Sequence, residues 1–227
     1  PRPLMRSTGN GVGWQFGGGW GNSTNDGGYV LRGLELRGTG STAGDHWGIW
    51  LVQNVRDVTL DDVVITNFGL GIHASGGSPH GVTRLTVRGG SISRNLSMGF
   101  LGTVSDSVFE GTLYEANNFS GSPMSHAIYA SGGNRNTIRG NRFLNNSVVG
   151  GLCRGGNYTV HGNIDGLLIE NNTIEVPAAD WSCGGINVTA GYDYTESFRN
   201  VVVRGNTGDN LGQCLVCINS APGAGIE

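Results

Sequence analysis

Apolar residues along this chain come in short alternating runs, and glycine, asparagine or an acidic residue closes each run. The clearest copy is residues 125–146, SHAIYASGGNRNTIRGNRFLNN. It holds two apolar runs, 126–130 and 137–143, with a Gly-Gly-Asn turn between them and a pair of asparagines at its end. Weaker copies cover nearly the whole chain. The apolar residue just before the polar step of each copy is Leu31, Leu60, Val87, Phe109, Ile138, Ile169 and Val203, at intervals of 29, 27, 22, 29, 31 and 34 residues. A second column of apolar positions, several directly after glycine, is Ile49, Ile72, Phe100, Ile128, Leu152, Ile186 and Val216, at intervals of 23, 28, 28, 24, 34 and 30. Two columns keep one uneven beat.

Alternating segments this short suit strands and not helices, and the Gly, Asn and Ser between them mark turns. One such unit cannot bury its apolar face alone, whereas stacked copies pair strand on strand around a continuous core. The pattern predicts an all-β fold, a single-stranded right-handed parallel β-helix (a solenoid) of about seven coils. Leu31, Leu60, Val87, Ile138, Ile169 and Val203 should stack inside. Coils about 4.8 Å apart give a stack roughly 30–35 Å long. A β-sandwich or barrel is the alternative, but it calls for two-residue hairpin turns that a coil-length interval does not supply. The chain, 1–227, reads as one domain, with 1–28 an irregular cap or partial first coil. Asn67, Asn95, Asn117 and Asn145 follow the second apolar run, where asparagine tolerates the left-handed backbone of a sharp turn.

Composition narrows the function classes. Glycine is 42 of 227 residues, far above the usual share of about 7%, as closely spaced turns require. The net charge is −3, with no basic stripe, so nucleic acid is not an expected partner. No apolar run approaches a membrane span. All 14 basic residues are arginine, which excludes a catalytic lysine. The start, PRPLMRSTGNG, reads as the edge of a coil, and an upstream signal or capping segment is expected to lie outside this numbering. Of the four cysteines, Cys183 and Cys214 fall at matching places in the last two coils and are the expected disulfide. Cys153 and Cys217 share a column two coils apart, beyond bridging distance. A lone C-x-x-C without a second pair does not make a zinc site.

Side chains alternate in and out along a strand. The residues after the second column therefore face out: Trp50, His73, Leu101, Tyr129, Cys153, Asn187 and Cys217. Such a row makes one face of the coil a polar and aromatic groove. His126, Arg154, Tyr158 and His161 stand beside it. Trp50, Asn187, Tyr158 and His161 are candidate substrate-binding residues. Trp14, Phe16 and Trp20 belong to the cap or form a platform for sugar rings. Asp57, Asp61 and Asp62 lie close together; they bond to local backbone or hold Ca²⁺.

The segments HAIYASG from His126, NTIRGNRFLNN from Asn136 and GLCR ending at Arg154 resemble the repeat of secreted right-handed β-helix proteins, in the style of polysaccharide lyases and alginate C5-epimerases. The resemblance covers residues 29–219. It implies an extracellular protein acting on an acidic polysaccharide by β-elimination. In that reading His126 is the base, Tyr129 the acid, Arg154 or a bound Ca²⁺ the group that neutralises the uronate carboxylate, and His73 a substitute base. The Asp-Pro-His motif of the epimerases is absent; Ser78-Pro79-His80 stands in the chain. Lyases of the chondroitinase B type use a lysine, which this chain lacks. A hydrolase would need two carboxylates about 5–10 Å apart, from among Asp45, Asp106, Glu115 and Asp180. The other class is a non-catalytic glycan-binding or structural β-helix, as in phage tailspikes, adhesins and surface-layer modules. Oligomeric state and the identity of the sugar do not follow from the sequence.

Overall fold

The structure, a computed structural model, describes residues 2–9, 11–18, 26–40, 46–76, 81–180, 184–190, 196–220 and 225–226. The chain winds as a parallel β-helix. Each coil gives one strand to each of three sheets, and the strands of successive coils pair in parallel. The first sheet runs from Leu4–Arg6 to Thr207–Leu211, and the third from Gly27–Arg32 to Gly225–Ile226. The second sheet carries the candidate site. Its strands are Trp14–Phe16, Trp47–Leu51, Leu70–Ala74, Phe100–Gly102, Ile128–Ser131, Gly156–His161, Gly184–Ala190 and Cys214–Ser220. No helix among the described residues is long and apolar enough to cross a membrane.

Among the described residues the first and second sheets each stack eight successive strands and the third stacks nine. Of the two readings of residues 1–28 the partial first coil is the one that forms: Leu4–Arg6 pairs with Glu35–Arg37, and Trp14 with Ile49. Phe16 is buried against Tyr29 and Trp14, so these rings belong to the core of the first coil; Trp20 lies outside the described residues.

The first apolar column is present as a ladder: Leu31, Leu60, Val87, Phe109, Ile138, Ile169 and Val203 are register partners in turn. The second column holds except in the sixth coil. There the partner of Ile128 is Tyr158, followed by Ile186. Leu152 instead sits in a two-strand antiparallel hairpin, Val148–Val149 with Leu152–Cys153, and is 49% exposed.

The corners explain the asparagines. A residue in the left-handed region starts several of the corners, as at Asn67 (φ 61) and Asn145 (φ 54). The next residue turns inward, and there asparagines stack. Asn95, Asn117 and Asn146 form one buried ladder, with side-chain bonds of 2.8 and 3.0 Å. Asn141, Asn172 and Asn206 form another at a second corner, at 3.0 and 2.9 Å. Each inner amide also takes up backbone groups that the corner would orphan. Asn172 Oδ1 accepts from Asn141 N, and Asn172 Nδ2 donates to the Ile138 carbonyl.

On the outside of the third sheet, Arg32, Asp61, Arg88, Glu110, Arg139, Glu170 and Arg204 succeed one another in register with mostly alternating sign. Arg88 donates to Asp61 at 2.9 Å and Arg204 to Glu170 at 2.8 Å. Like charges one rung apart would repel by about 1 kcal/mol in water and more near the protein surface. Alternation removes that cost, although each exposed pair adds little by itself. The candidate calcium ligands are engaged in the same way. Asp57 binds Arg84, Asp61 binds Arg32 and Arg88, and Asp62 binds Arg2. No group of three or more His, Cys, Asp or Glu among the described residues is placed to hold a metal.

Two stability measurements follow. Ile128→Ala and Ile138→Ala remove fully buried aliphatic side chains and should each cost about 2–5 kcal/mol in urea unfolding. Asn117→Ala strips several buried partners at once and should cost about 2–4 kcal/mol, since each unsatisfied buried group costs about 1–3. Asn145→Ala touches only the turn and should cost less; equal losses at 117 and 145 would overturn the assignment of the ladder.

Candidate functional site

The outward row of the second sheet reads Gln15, Trp50, His73, Leu101, Tyr129, Thr159, Asn187 and Cys217. Thr159 takes the place expected for Cys153. Cys153 is buried and disulfide-bonded, on the return arm of the hairpin and packed beside Val176. The expected Cys183 bridge to Cys214 is not formed, because Cys214 closes on Cys217 across a Cα separation of 5.8 Å. Cys183 lies outside the described residues.

Two insertions break the coil beside this row. After Asn117 the chain makes a loop before entering the strand Ile128–Ser131, and after Leu144 it makes the hairpin. Asn118 ties the loop down. Its backbone is left-handed (φ 58), and its buried amide donates to the carbonyls of Ser122 and Ser125 at 2.8 Å each and to Ser147 Oγ at 3.1 Å. The insertions wall a cleft over the fifth to eighth coils. One end, about 430 Å³, is lined by Gly121, Pro123, His126, Arg154, Asn187 and Gln213. The other, about 310 Å³, shares Pro123, His126, Asn187 and Gln213 and adds Met124, Tyr129 and His161.

His126, Tyr129 and His161 meet at the second end, with Glu196 behind His161. The Tyr129 hydroxyl is hydrogen-bonded to His161 Nε2. His161 Nδ1 lies 3.6 Å from the carboxylate of Glu196, which is only 6% exposed. The rings of His126 and Tyr129 are stacked, with centroids 5.4 Å apart. Gly156 N–H donates to His126 Nδ1 at 2.8 Å, so the neutral ring carries its proton on Nε2. A Cβ on residue 156 would come within 2.6 Å of Asn187 Nδ2 and would push that side chain aside. Burial, and secondarily the charge of His161, push the pKa of His126 down to about 4. Arg154 is exposed over the first end of the cleft. Among the described residues nothing pairs with its guanidinium, whereas most other arginines are held by carboxylates.

Sequence reasoning thus brought His126, Tyr129, Arg154, His161 and Asn187 to one cleft. It misplaced Tyr158, whose ring is 1% exposed in the inward column. A residue expected to touch substrate is therefore core, because the true sixth-coil strand begins at Gly156. His73 lies two rungs from Tyr129 and packs on Trp47, with ring centroids 4.4 Å apart, while Trp50 lies 5.1 Å from Trp47. These three form an aromatic ridge outside the cleft. Glu196 was missed: nothing local marks it, and only the register of Phe198 on Ile164 places it near His161. Thr159 and Gln213 were missed for the same reason. Of the carboxylates considered for hydrolysis, Asp106 binds Arg135 and Glu115 belongs to the first sheet. The side chains of Asp45 and Asp180 lie outside the described residues, as does His80.

His126 makes the pH dependence of stability specific. Its folded pKa lies below the unfolded value of 6.5, so the unfolded chain binds the proton first as pH falls. The neutral ring's contribution is complete above pH 6.5 and should be lost as pH drops towards about 4, amounting to about 3 kcal/mol. Protonation also disrupts the bond from Gly156, since Nδ1 can no longer accept. His46, fully buried against Phe68, has its pKa lowered by burial too and adds in the same direction. Urea unfolding across this window should show the loss, and His126→Asn, which keeps an acceptor near Nδ1, should flatten much of it. An unchanged slope in the variant would assign the loss elsewhere.

No family model, no curated protein and no solved structure matches this chain.

Proposed function

We propose that this β-helix acts on an acidic polysaccharide by β-elimination in the cleft between its two insertions. The observation that carries the reading is the cation Arg154, which pairs with no carboxylate among the described residues, in the same cleft as Tyr129 and His161, with Glu196 behind His161. Abstraction of the proton α to a uronate carboxylate needs a base, and it needs positive charge on that carboxylate where the negative charge develops. Arg154 supplies the charge and can grip a carboxylate through two parallel N–H bonds.

Tyr129 with His161 is the better base than His126, because the lone pair of His126 already accepts from Gly156. His161 draws the phenolic proton towards Nε2, and Glu196 stabilises the imidazolium that results. The phenolate then takes the proton from C5 of the uronate. The C4–O4 bond breaks as the C4=C5 double bond forms, and Tyr129 returns a proton to O4. His126 contributes its Nε2–H as a neutral donor to the substrate, and Asn187 and Thr159, bonded to each other at 3.2 Å, bind hydroxyls. Disulfides at Cys214–Cys217 and at Cys153 support an oxidising, extracellular setting.

The ridge of Trp47, Trp50 and His73 on the same face favours a second reading, glycan binding without chemistry, since aromatic faces stack on sugars. One assay separates the two. Incubation with a panel of polyuronates should raise ultraviolet absorbance from the new C4=C5 bond. Tyr129→Phe should abolish that signal, and Glu196→Gln should lower kcat by about 10²-fold or more, the scale of general acid–base catalysis. Arg154→Ala should raise KM and lower kcat as well, since Arg154 both holds the carboxylate and neutralises the charge that develops there, with all three melting temperatures close to that of the parent. Binding to the panel with no absorbance change from the parent protein would leave only the non-catalytic reading.

A further inference from the structure

Beyond His161 the strands of the second sheet run into their corner with the third, and that corner is hollow. A depression of about 280 Å³ there is lined by Thr83, Thr103, Ser105, Ser131, Asn134 and Asn163, with glycines between them. It meets the cleft at the Tyr129–His161 pair. Ser131, two residues past Tyr129, is the register partner of His161, and Gly162, which follows His161, lines the depression. The polar groups are held in place. Asn134 Oδ1 accepts from the Asp165 N–H at 2.9 Å and Asn163 Oδ1 from the Ser197 N–H at 3.0 Å, so each has Nδ2 to offer as a donor. Ser105 Oγ accepts from the Asn134 N–H at 3.1 Å, and Thr103 Oγ1 lies 3.2 Å from Ser131 Oγ.

Charge separates this hollow from the cleft. Arg84 and Arg135 follow Thr83 and Asn134 in the chain, but each guanidinium is closed on a carboxylate. Arg84 donates to both oxygens of Asp57 at 2.5 and 2.8 Å, and Arg135 to both oxygens of Asp106 at 2.5 and 2.8 Å. A uronate carboxylate entering here would find both forks taken and would approach Asp106, the neighbour of Ser105. Across the sheet the order is therefore Arg154, then Tyr129 with His161, then a subsite of hydroxyls and amides. β-Elimination arranges its substrate in the same order. The uronate that loses its C5 proton has its carboxylate at Arg154. The C4–O4 bond breaks at Tyr129, and O4 leaves with the sugar it joins, protonated, as that sugar's anomeric hydroxyl. We propose that the corner hollow is the subsite of this departing sugar and that it takes a neutral one. The substrate is then an acidic heteropolysaccharide with a neutral sugar linked to O4 of the uronate. This inference rests on the elimination reading and adds which class of sugar stands on the leaving side.

The test compares two homopolyuronates, alginate and polygalacturonate, with hyaluronan, deacylated gellan and rhamnogalacturonan backbone. Each of these last three carries a neutral sugar on O4 of its uronate. The gain in ultraviolet absorbance gives kcat/KM for every member. The parent protein should favour at least one heteropolymer over both homopolyuronates by about tenfold or more, within the range that pocket contacts discriminate. Thr83 is half-buried on the lining, away from Tyr129. Thr83→Trp fills the hollow and should remove most of the rate on that heteropolymer. Thr83→Lys adds a cation and should narrow the preference by raising the rate on the homopolyuronates. Melting temperatures close to that of the parent verify that both variants are folded, and the comparison with the parent protein stands by itself if either is not. Homopolyuronates cleaved as fast as every heteropolymer, or a preference unchanged in both folded variants, overturns the neutral subsite and leaves the elimination reading in place. Absorbance gained from no member overturns the elimination reading, and the subsite with it.

Discussion

Every coil of this protein has to change direction within two or three residues while its backbone stays buried on the inner side. In the middle and later coils an inward asparagine takes up the amide and carbonyl groups that the corner would otherwise orphan, whereas Val63 and Phe68 hold the matching positions earlier in the chain. At the corner after the third sheet the same job passes from Asn141 to Asn172 to Asn206, and after the first sheet from Asn95 to Asn117 to Asn146. Because each amide bonds to the coil on either side, a corner is satisfied only if its neighbours are in register. The apolar columns then follow: with corners aligned, Ile169 has nowhere to sit except between Ile138 and Val203. Hydrophobic burial supplies most of the energy of such a core, and the asparagine ladders decide which of the possible registers it adopts.

That division leaves the outer face free to vary. Inward positions and corners carry the fold, so a residue such as Tyr129 or Asn187 can be chosen for chemistry at small structural cost. The insertions use the same freedom. The loop and the hairpin enter between the first and second sheets of neighbouring coils and leave the pairing of Ile128 with Tyr158 intact. A cleft can thus be raised on a regular stack without disturbing the core beneath, much as loops on a rigid scaffold carry function elsewhere.

The same logic explains what was readable in the sequence. The columns were legible because inward position, left-handed corner and asparagine recur together, and seven members of the first column stack as their spacing implies. The reading failed in the sixth coil. Gly151, Leu152 and Cys153 imitate the entry of a coil strand, yet they form the return arm of a hairpin. The real strand begins a few residues later, where Tyr158 fills the inward column with a bulkier side chain than its neighbours. No local rule separates the two, since both follow glycine. Glu196 shows a different limit. Its partner His161 is a coil away, and only the completed register brings them together. For residues 1–28 the sequence left a cap and a partial first coil open, and the pairing of Leu4 with Glu35 and of Trp14 with Ile49 decides for the partial coil.

Charge placement gives the cleft its character. Arginine is the sole basic residue type apart from histidine, and most of the arginines are locked into ladders that cancel along the outer surface. Arg154, by contrast, stands on the hairpin with no carboxylate beside it among the described residues. His126, one layer below, is kept neutral by burial, and the amide of Gly156 holds its Nδ1 lone pair. A second cation there would compete for the same anion and would repel His161. With His126 neutral down to about pH 4, the attraction of the cleft for a carboxylate comes from a guanidinium that does not titrate in water. Anchoring and proton transfer are therefore assigned to different groups: Arg154 fixes the anion at every working pH, and the pair of Tyr129 and His161 is left to move the proton.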